Sequence, residues 1–121
     1  MIPFLFTAVI YGWIEANIYK VGWSSPPPHI YGLSIKYHGG LFALMAGVYV
    51  ASVGFSPHGL WAVPLWLMTE DIFYYVFNSG DWTNEPDWNS FGLGGIRVLG
   101  LFVPNTYLIL TVLSIILYHI L

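Results

Sequence analysis

The fold prediction rests on a stretch that runs from residue 60 to residue 78, LWAVPLWLMTEDIFYYVFN. Apart from Thr69, Asn78 and the adjacent carboxyl side chains of Glu70 and Asp71, it consists of apolar and aromatic residues. Its length is close to the roughly 20 residues that a helix needs to cross the hydrocarbon core of a bilayer. Because carboxyl groups inside such a span are costly, the pair indicates a specific role.

Three further stretches have the same apolar character, and together the four predict spans at about 3–19, 31–53, 60–78 and 94–121. Charged residues make up 7% of the 121 residues, against roughly 25% in an ordinary soluble domain. The apolar runs are too long for the strands of a membrane barrel and do not alternate with period two. We therefore predict a single all-α domain over residues 1–121, an integral membrane bundle of four transmembrane helices.

The basic residues predict an orientation for this bundle. Lys20, Lys36 and Arg97 all fall in or beside the first and third loops, and basic loops face the cytoplasm. The expected location is the cell membrane, with several passes and both termini on the non-cytoplasmic side. Glu15 would be unusual in the core of a signal peptide, so the first stretch is interpreted as a retained helix.

Ionisable side chains within the predicted spans define the candidate site. They are Glu15, His38, Glu70 and Asp71, one or two from each of the first three helices. Spacings of three and four residues put further polar side chains on the same helix faces. These supporting residues are Asn17, Tyr74, Asn78, Arg97 and Asn105.

Three chemistries suit this set of residues. An imidazole and carboxylates are ligands for zinc, iron or manganese, so a divalent metal is one expected cofactor. The same groups could pass protons, because burial raises carboxyl pKa values towards neutrality. Alternatively, Arg97 could pair with Asp71 or Glu70, and His38 with Glu15, in a purely structural network.

The leading functional prediction is the handling of a metal ion or of protons at this cluster, by metal binding or coupled transport. A non-catalytic accessory subunit of a larger membrane complex is the alternative. An intramembrane metal-dependent enzyme with Asp71 or Glu70 as base is a further one, so enzymatic activity and the catalytic residues stay open. The expected partners are the lipid bilayer and either further copies of the chain, in a homo-oligomer, or a larger membrane complex. Three basic residues exclude a nucleic-acid surface, and Gly40 and Gly47 are expected to allow close helix packing.

Two resemblances accompany these predictions. The segment EDIFYYVFN at 70–78, followed by a Trp-containing loop and VPNTY at 103–107, resembles a group of small prokaryotic membrane proteins of uncharacterised function. That resemblance covers about the second half of the chain and implies a four-helix membrane fold, although Ser79 stands where the group usually has proline. In layout, Glu15 and Lys20 are similar to the glutamate and lysine of the small multidrug resistance transporters, but the carboxyl pair and the polar third loop depart from them.

Overall fold

A computed structural model describes residues 1–19, 31–77, 81–83 and 93–121, with the side chains at 18, 19, 31–38 and 41 outside the description. The chain forms α1 (Ile2–Tyr19), α2 (Tyr31–Val53), a 3₁₀ turn (Pro57–Gly59) and α3 (Ala62–Phe77). Two short strands, β1 (Gly95–Val98) and β2 (Leu101–Pro104), then precede α4 (Asn105–Ile120). The most extensive contact joins α1 to α3, while α4 packs against α3 and α2 touches α1.

The core lies between α1, the end of α2 and the start of α3. Phe4, Tyr49 and Trp66 are buried there together, with the Phe4 ring edge-on to Tyr49 at a centroid distance of 5.7 Å. Trp66 Nε1 donates a hydrogen bond of 2.9 Å to the Thr7 hydroxyl, and the Tyr49 hydroxyl donates one of 2.6 Å to the Ser56 carbonyl. The polar atoms of the Trp66 and Tyr49 rings therefore both have hydrogen-bond partners, so burying them does not carry the free-energy cost of an unpaired polar group.

Close packing of α1 on α3 depends on Gly12. A Cβ atom built at Gly12 would lie 2.6 Å from the Glu70 carbonyl oxygen and 2.8 Å from the Tyr74 amide nitrogen. Only a residue without a side chain lets the two backbones approach this far. The expectation for Gly40 and Gly47 is not met within the described residues, because a Cβ atom at either meets none of their atoms within 4 Å.

A hairpin replaces the first part of the predicted fourth span. β1 and β2 pair antiparallel, with Arg97 opposite Phe102, and the two-residue turn has positive φ at Leu99 (51°) and Gly100 (81°). Positive φ at both turn positions matches the twist of paired strands. The helix begins only at Asn105, whose amide nitrogen donates a 3.0 Å hydrogen bond to the Gly94 carbonyl.

The prediction of a membrane bundle is wrong for the part of the chain that the structure describes. Among those residues, no helix is both long enough and apolar enough to cross a membrane. α3 and α4 have 16 residues each, about 24 Å of helix at 1.5 Å per residue against a hydrocarbon core of about 30 Å. α1 is a continuous helix, but its run of apolar residues is interrupted near its end by Glu15 and Asn17. The predicted spans, cell-membrane location and orientation of the termini are corrected by the same finding.

Candidate ligand-binding site

Two helices, α1 and α3, bring three carboxyl groups close together. Glu70 of α3 contacts Glu15 of α1 through a side-chain hydrogen bond, and Asp71 lies beside it within electrostatic range of Glu15. Glu15 follows Gly12 by one helical turn, so the close α1–α3 approach at Gly12 carries the Glu15 carboxylate to Glu70.

Glu70 is the most deeply buried of these carboxyl groups, with 7% of its surface exposed. Burial raises its pKa to about 11, and the hydrogen bond and negative charge of Glu15 and the charge of Asp71 add to the effect. Glu70 is therefore protonated at neutral pH. Its Oε1 atom is buried and has no hydrogen-bond partner among the described residues. An unmet buried acceptor costs about 1–3 kcal/mol, so it calls for an explanation.

Asp71 has a different environment from its neighbour. Burial raises its pKa to about 6, a hydrogen bond from Tyr107 acts in the opposite direction, and the charge of Glu15 raises it again. The Tyr107 hydroxyl donates to Asp71 Oδ2 at 2.5 Å. Asp71 is consequently ionised at neutral pH and contributes a negative charge to the cavity side of the site.

Aromatic rings enclose the carboxyl groups on the side of α4. Tyr75, Trp82 and Tyr107 form a chain of ring contacts, with centroids 5.7 Å apart for the first pair and 6.2 Å for the second. Burial and the charge of Asp71 raise the pKa values of both tyrosines. Both hydroxyls therefore stay protonated, and Tyr107 can only donate to Asp71.

A cavity of about 210 Å³ opens beside the two carboxyl groups of α3. Phe42 of α2, Leu67 of α3 and Leu110 of α4 form its apolar wall. Its polar groups are those of Glu70, Asp71, Thr106 and Tyr107. We call this space the α3–α4 cavity.

The other predicted site residues lie elsewhere. Arg97 Nη1 donates to the Thr83 carbonyl at 2.7 Å, so it joins the hairpin to residues 81–83. Asn105 Nδ2 donates to the Leu93 carbonyl at 2.9 Å, and Asn17 Nδ2 donates to the Trp13 carbonyl within its own helix.

The remaining predicted residues are the supporting residues Tyr74 and Asn78 and the primary site residue His38. Tyr74 is buried and packs edge-on against Tyr75 at a centroid distance of 5.3 Å, so it supports the aromatic enclosure. The His38 side chain and Asn78 lie outside the described residues.

The predicted metal-handling function is wrong on this geometry. In the described part of the chain, no group of three or more His, Cys, Asp or Glu side chains is arranged to hold a metal ion. Two of the predicted ligands instead share a hydrogen bond: Glu70 is protonated and contacts Glu15. A coupled transporter is likewise unsupported, because no described helix crosses a membrane.

Sequence reasoning missed Tyr107, which is the hydrogen-bond partner of Asp71. The predicted inner face of the last helix followed Arg97 and Asn105, but the hairpin interrupts that helical periodicity before Asn105. A usable signal was the seven-residue spacing of Tyr107 and Ser114, the two buried residues of α4.

Comparison of the chain with protein-family models, with curated proteins and with solved structures gave no match.

Proposed function

We propose that this protein binds a small organic amine in the α3–α4 cavity. The observation that carries the proposal is the Oε1 atom of Glu70, a buried acceptor without a hydrogen-bond partner among the described residues, on a side chain that lines the cavity. A rotation of the Glu70 side chain would bring this atom to the cavity, where an ammonium group of a ligand would supply the missing donor.

The charge of the cavity favours a cation. Asp71 is ionised at neutral pH, and no described basic side chain lines the cavity with it. A protonated Glu70 uses its single O–H towards Glu15 and keeps a carbonyl-type oxygen that can only accept. One ammonium group can therefore donate to both carboxyl groups of α3, and its charge offsets that of Asp71.

The walls of the cavity favour a ligand with an apolar body. Phe42, Leu67 and Leu110 offer only hydrocarbon surface. A cavity of about 150 Å³ accepts benzene in another protein, and the volume here is about 210 Å³. A single ring or a short alkyl chain that carries one amine matches this size and polarity.

Isothermal titration with benzylamine tests the proposal, and benzyl alcohol is the neutral ligand of nearly the same shape. We expect saturable binding of benzylamine and at least about tenfold weaker binding of the alcohol. Asp71→Asn should weaken benzylamine binding by about tenfold or more, because it removes the charge of the site. The matched control is Asp81→Asn, since Asp81 is an exposed carboxylate that bonds to Thr83 outside the cavity.

The pH dependence of binding is a second test at the same site. Affinity for benzylamine should fall as the pH drops through about 6, because Asp71 takes up a proton there. The Asp81→Asn variant should keep this profile. Equal binding of amine and alcohol, or equal loss in the two Asp→Asn variants, would overturn the proposal.

A further inference from the structure

Glu70 connects two different parts of the molecule. Its side chain hydrogen-bonds to Glu15 of α1 and also lines the α3–α4 cavity. Backbone packing holds the contact with α1, because a Cβ atom at Gly12, one turn before Glu15, would lie 2.6 Å from the Glu70 carbonyl oxygen. A half-buried side chain of α1 is therefore linked to the cavity through Glu70.

The hydrogen bond between these two carboxyl groups needs one proton. Two carboxylates can only accept, so one member of the pair must be protonated and donate. Glu70 has 7% of its surface exposed, whereas Glu15 is half-buried. Since burial disfavours the charged form of a carboxyl group, the proton belongs to Glu70, and its O–H donates to Glu15.

The position of this proton decides what Glu70 offers to a ligand. A protonated carboxyl group has one O–H donor and one carbonyl-type oxygen. With the O–H held by Glu15, the remaining oxygen is Oε1, which is buried and has no hydrogen-bond partner among the described residues. When the side chain rotates to the cavity, it therefore presents an acceptor. Without an acceptor at position 15, the O–H can turn to the cavity instead, and Glu70 presents a donor.

We propose that Glu15 is a positioning residue that gives the α3–α4 cavity its preference for amines over ligands that only accept hydrogen bonds. The inference rests on the proposed binding of amines in that cavity. Glu15 does not line the cavity itself, so it acts through Glu70. A ketone, whose oxygen only accepts, is the ligand that distinguishes this role from an apolar fit to the cavity walls.

Isothermal titration with benzylamine and acetophenone tests the role of Glu15. Both ligands carry one phenyl ring, but acetophenone has a carbonyl oxygen and no N–H or O–H donor. Glu15→Leu removes the acceptor on α1, so binding of acetophenone should strengthen by about tenfold as Glu70 donates to it. Benzylamine should bind this variant more weakly than the wild type, because Glu70 no longer offers it an acceptor.

Glu15→Gln separates the hydrogen-bond acceptor from the charge. The amide oxygen of glutamine still accepts the Glu70 O–H, so acetophenone should bind this variant no better than the wild type. Asn17→Leu is the matched control on α1, since the Asn17 side chain is exposed and bonds to the Trp13 carbonyl within the helix. It should change neither affinity.

The outcomes distinguish the role of Glu15 from amine binding itself. Benzylamine binding to the wild type, with acetophenone affinity unchanged in Glu15→Leu, would overturn the role of Glu15 and leave amine binding standing. An equal rise of acetophenone affinity in Glu15→Leu and Glu15→Gln would do the same, because it assigns the effect to the lost charge. Absence of benzylamine binding to the wild type would overturn both proposals.

Discussion

The two sides of α3 show how adjacent residues of one helix acquire different chemistry. On the α1 side, Glu70 meets another carboxylate across a backbone contact that only Gly12 permits, and its pKa rises to about 11. On the α4 side, Asp71 receives the Tyr107 hydroxyl, and its pKa rises only to about 6. Burial is the largest cause of both pKa shifts, and the partner adds to it at Glu70 but opposes it at Asp71.

Gly12→Ala should have the largest effect, because it disrupts the close backbone contact on the α1 side of α3. The added methyl group would overlap the Glu70 carbonyl and the Tyr74 amide, so we expect a loss of about 3 kcal/mol in the free energy of unfolding. Gly47→Ala is the control, because its Cβ meets nothing within 4 Å, and it should stabilise α2 by up to about 1 kcal/mol. Urea unfolding measures both variants, and equal effects would contradict the close α1–α3 contact.

The pH dependence of stability distinguishes the two acids of α3. The pKa of Asp71 is raised from 3.8 to about 6. Its contribution to the free energy of unfolding is therefore fully present below pH 3.8 and is lost as the pH rises through about 6. The pKa of Glu70 is raised from 4.5 to about 11, so its contribution to stability also falls as the pH rises. The titratable side chains that face these two acids are Glu15, Tyr75 and Tyr107.

Between pH 4.5 and 6, each acid therefore lowers the free energy of unfolding by about 1.4 kcal/mol per pH unit. Asp71→Asn should remove one of the two contributions and leave the slope that Glu70 causes above pH 6. Urea unfolding at a series of pH values provides the measurement. Stability that rises with pH over this range would show that the acids are not buried as described.

Tyr107→Phe tests the environment of Asp71 on the α4 side of α3. Without the hydroxyl, Asp71 loses the one hydrogen bond that lowers its pKa, so the pKa should rise by about one unit above its present value. A carbon-detected NMR titration of the Asp71 carboxyl reports this change. Tyr118→Phe is a control, because the Tyr118 ring is exposed and packs edge-on against Trp61. A pKa of Asp71 that falls in Tyr107→Phe would be inconsistent with the hydrogen bond.

Arg97→Met should have the smallest effect, because Arg97 belongs to neither carboxyl environment. It would remove the hydrogen bond to the Thr83 carbonyl on the exposed hairpin, at a cost below about 1 kcal/mol. Amide exchange should become faster at Phe102, whose amide donates to the Trp82 carbonyl. The pKa of Asp71 should stay where it is. A shift in that pKa would place Arg97 closer to the acids than the hairpin allows.

Local features of the sequence located much of the candidate site. The apolar stretch at 60–78 contains α3, and the two acidic residues within it lie close to Glu15. The sequence could not reveal Tyr107 or the α3–α4 cavity, because the hairpin at 95–104 shifts which face of α4 turns inward. Low charge content also suggested lipid around every helix, but an apolar helix face can equally pack against another helix.

The sequence by itself determined the positions of the first three helices and which of them carry acidic residues, because helix formation and apolar periodicity depend on residues close together in the chain. Only the tertiary structure decided that Gly12 brings Glu15 to Glu70, while Tyr107 reaches Asp71 from the opposite side. These partners are far apart in the chain and are brought together by backbone approach and hairpin geometry. The charge of each acid depends on its burial and on that partner, and the fold supplies both, so the chemistry of the site is a property of the fold.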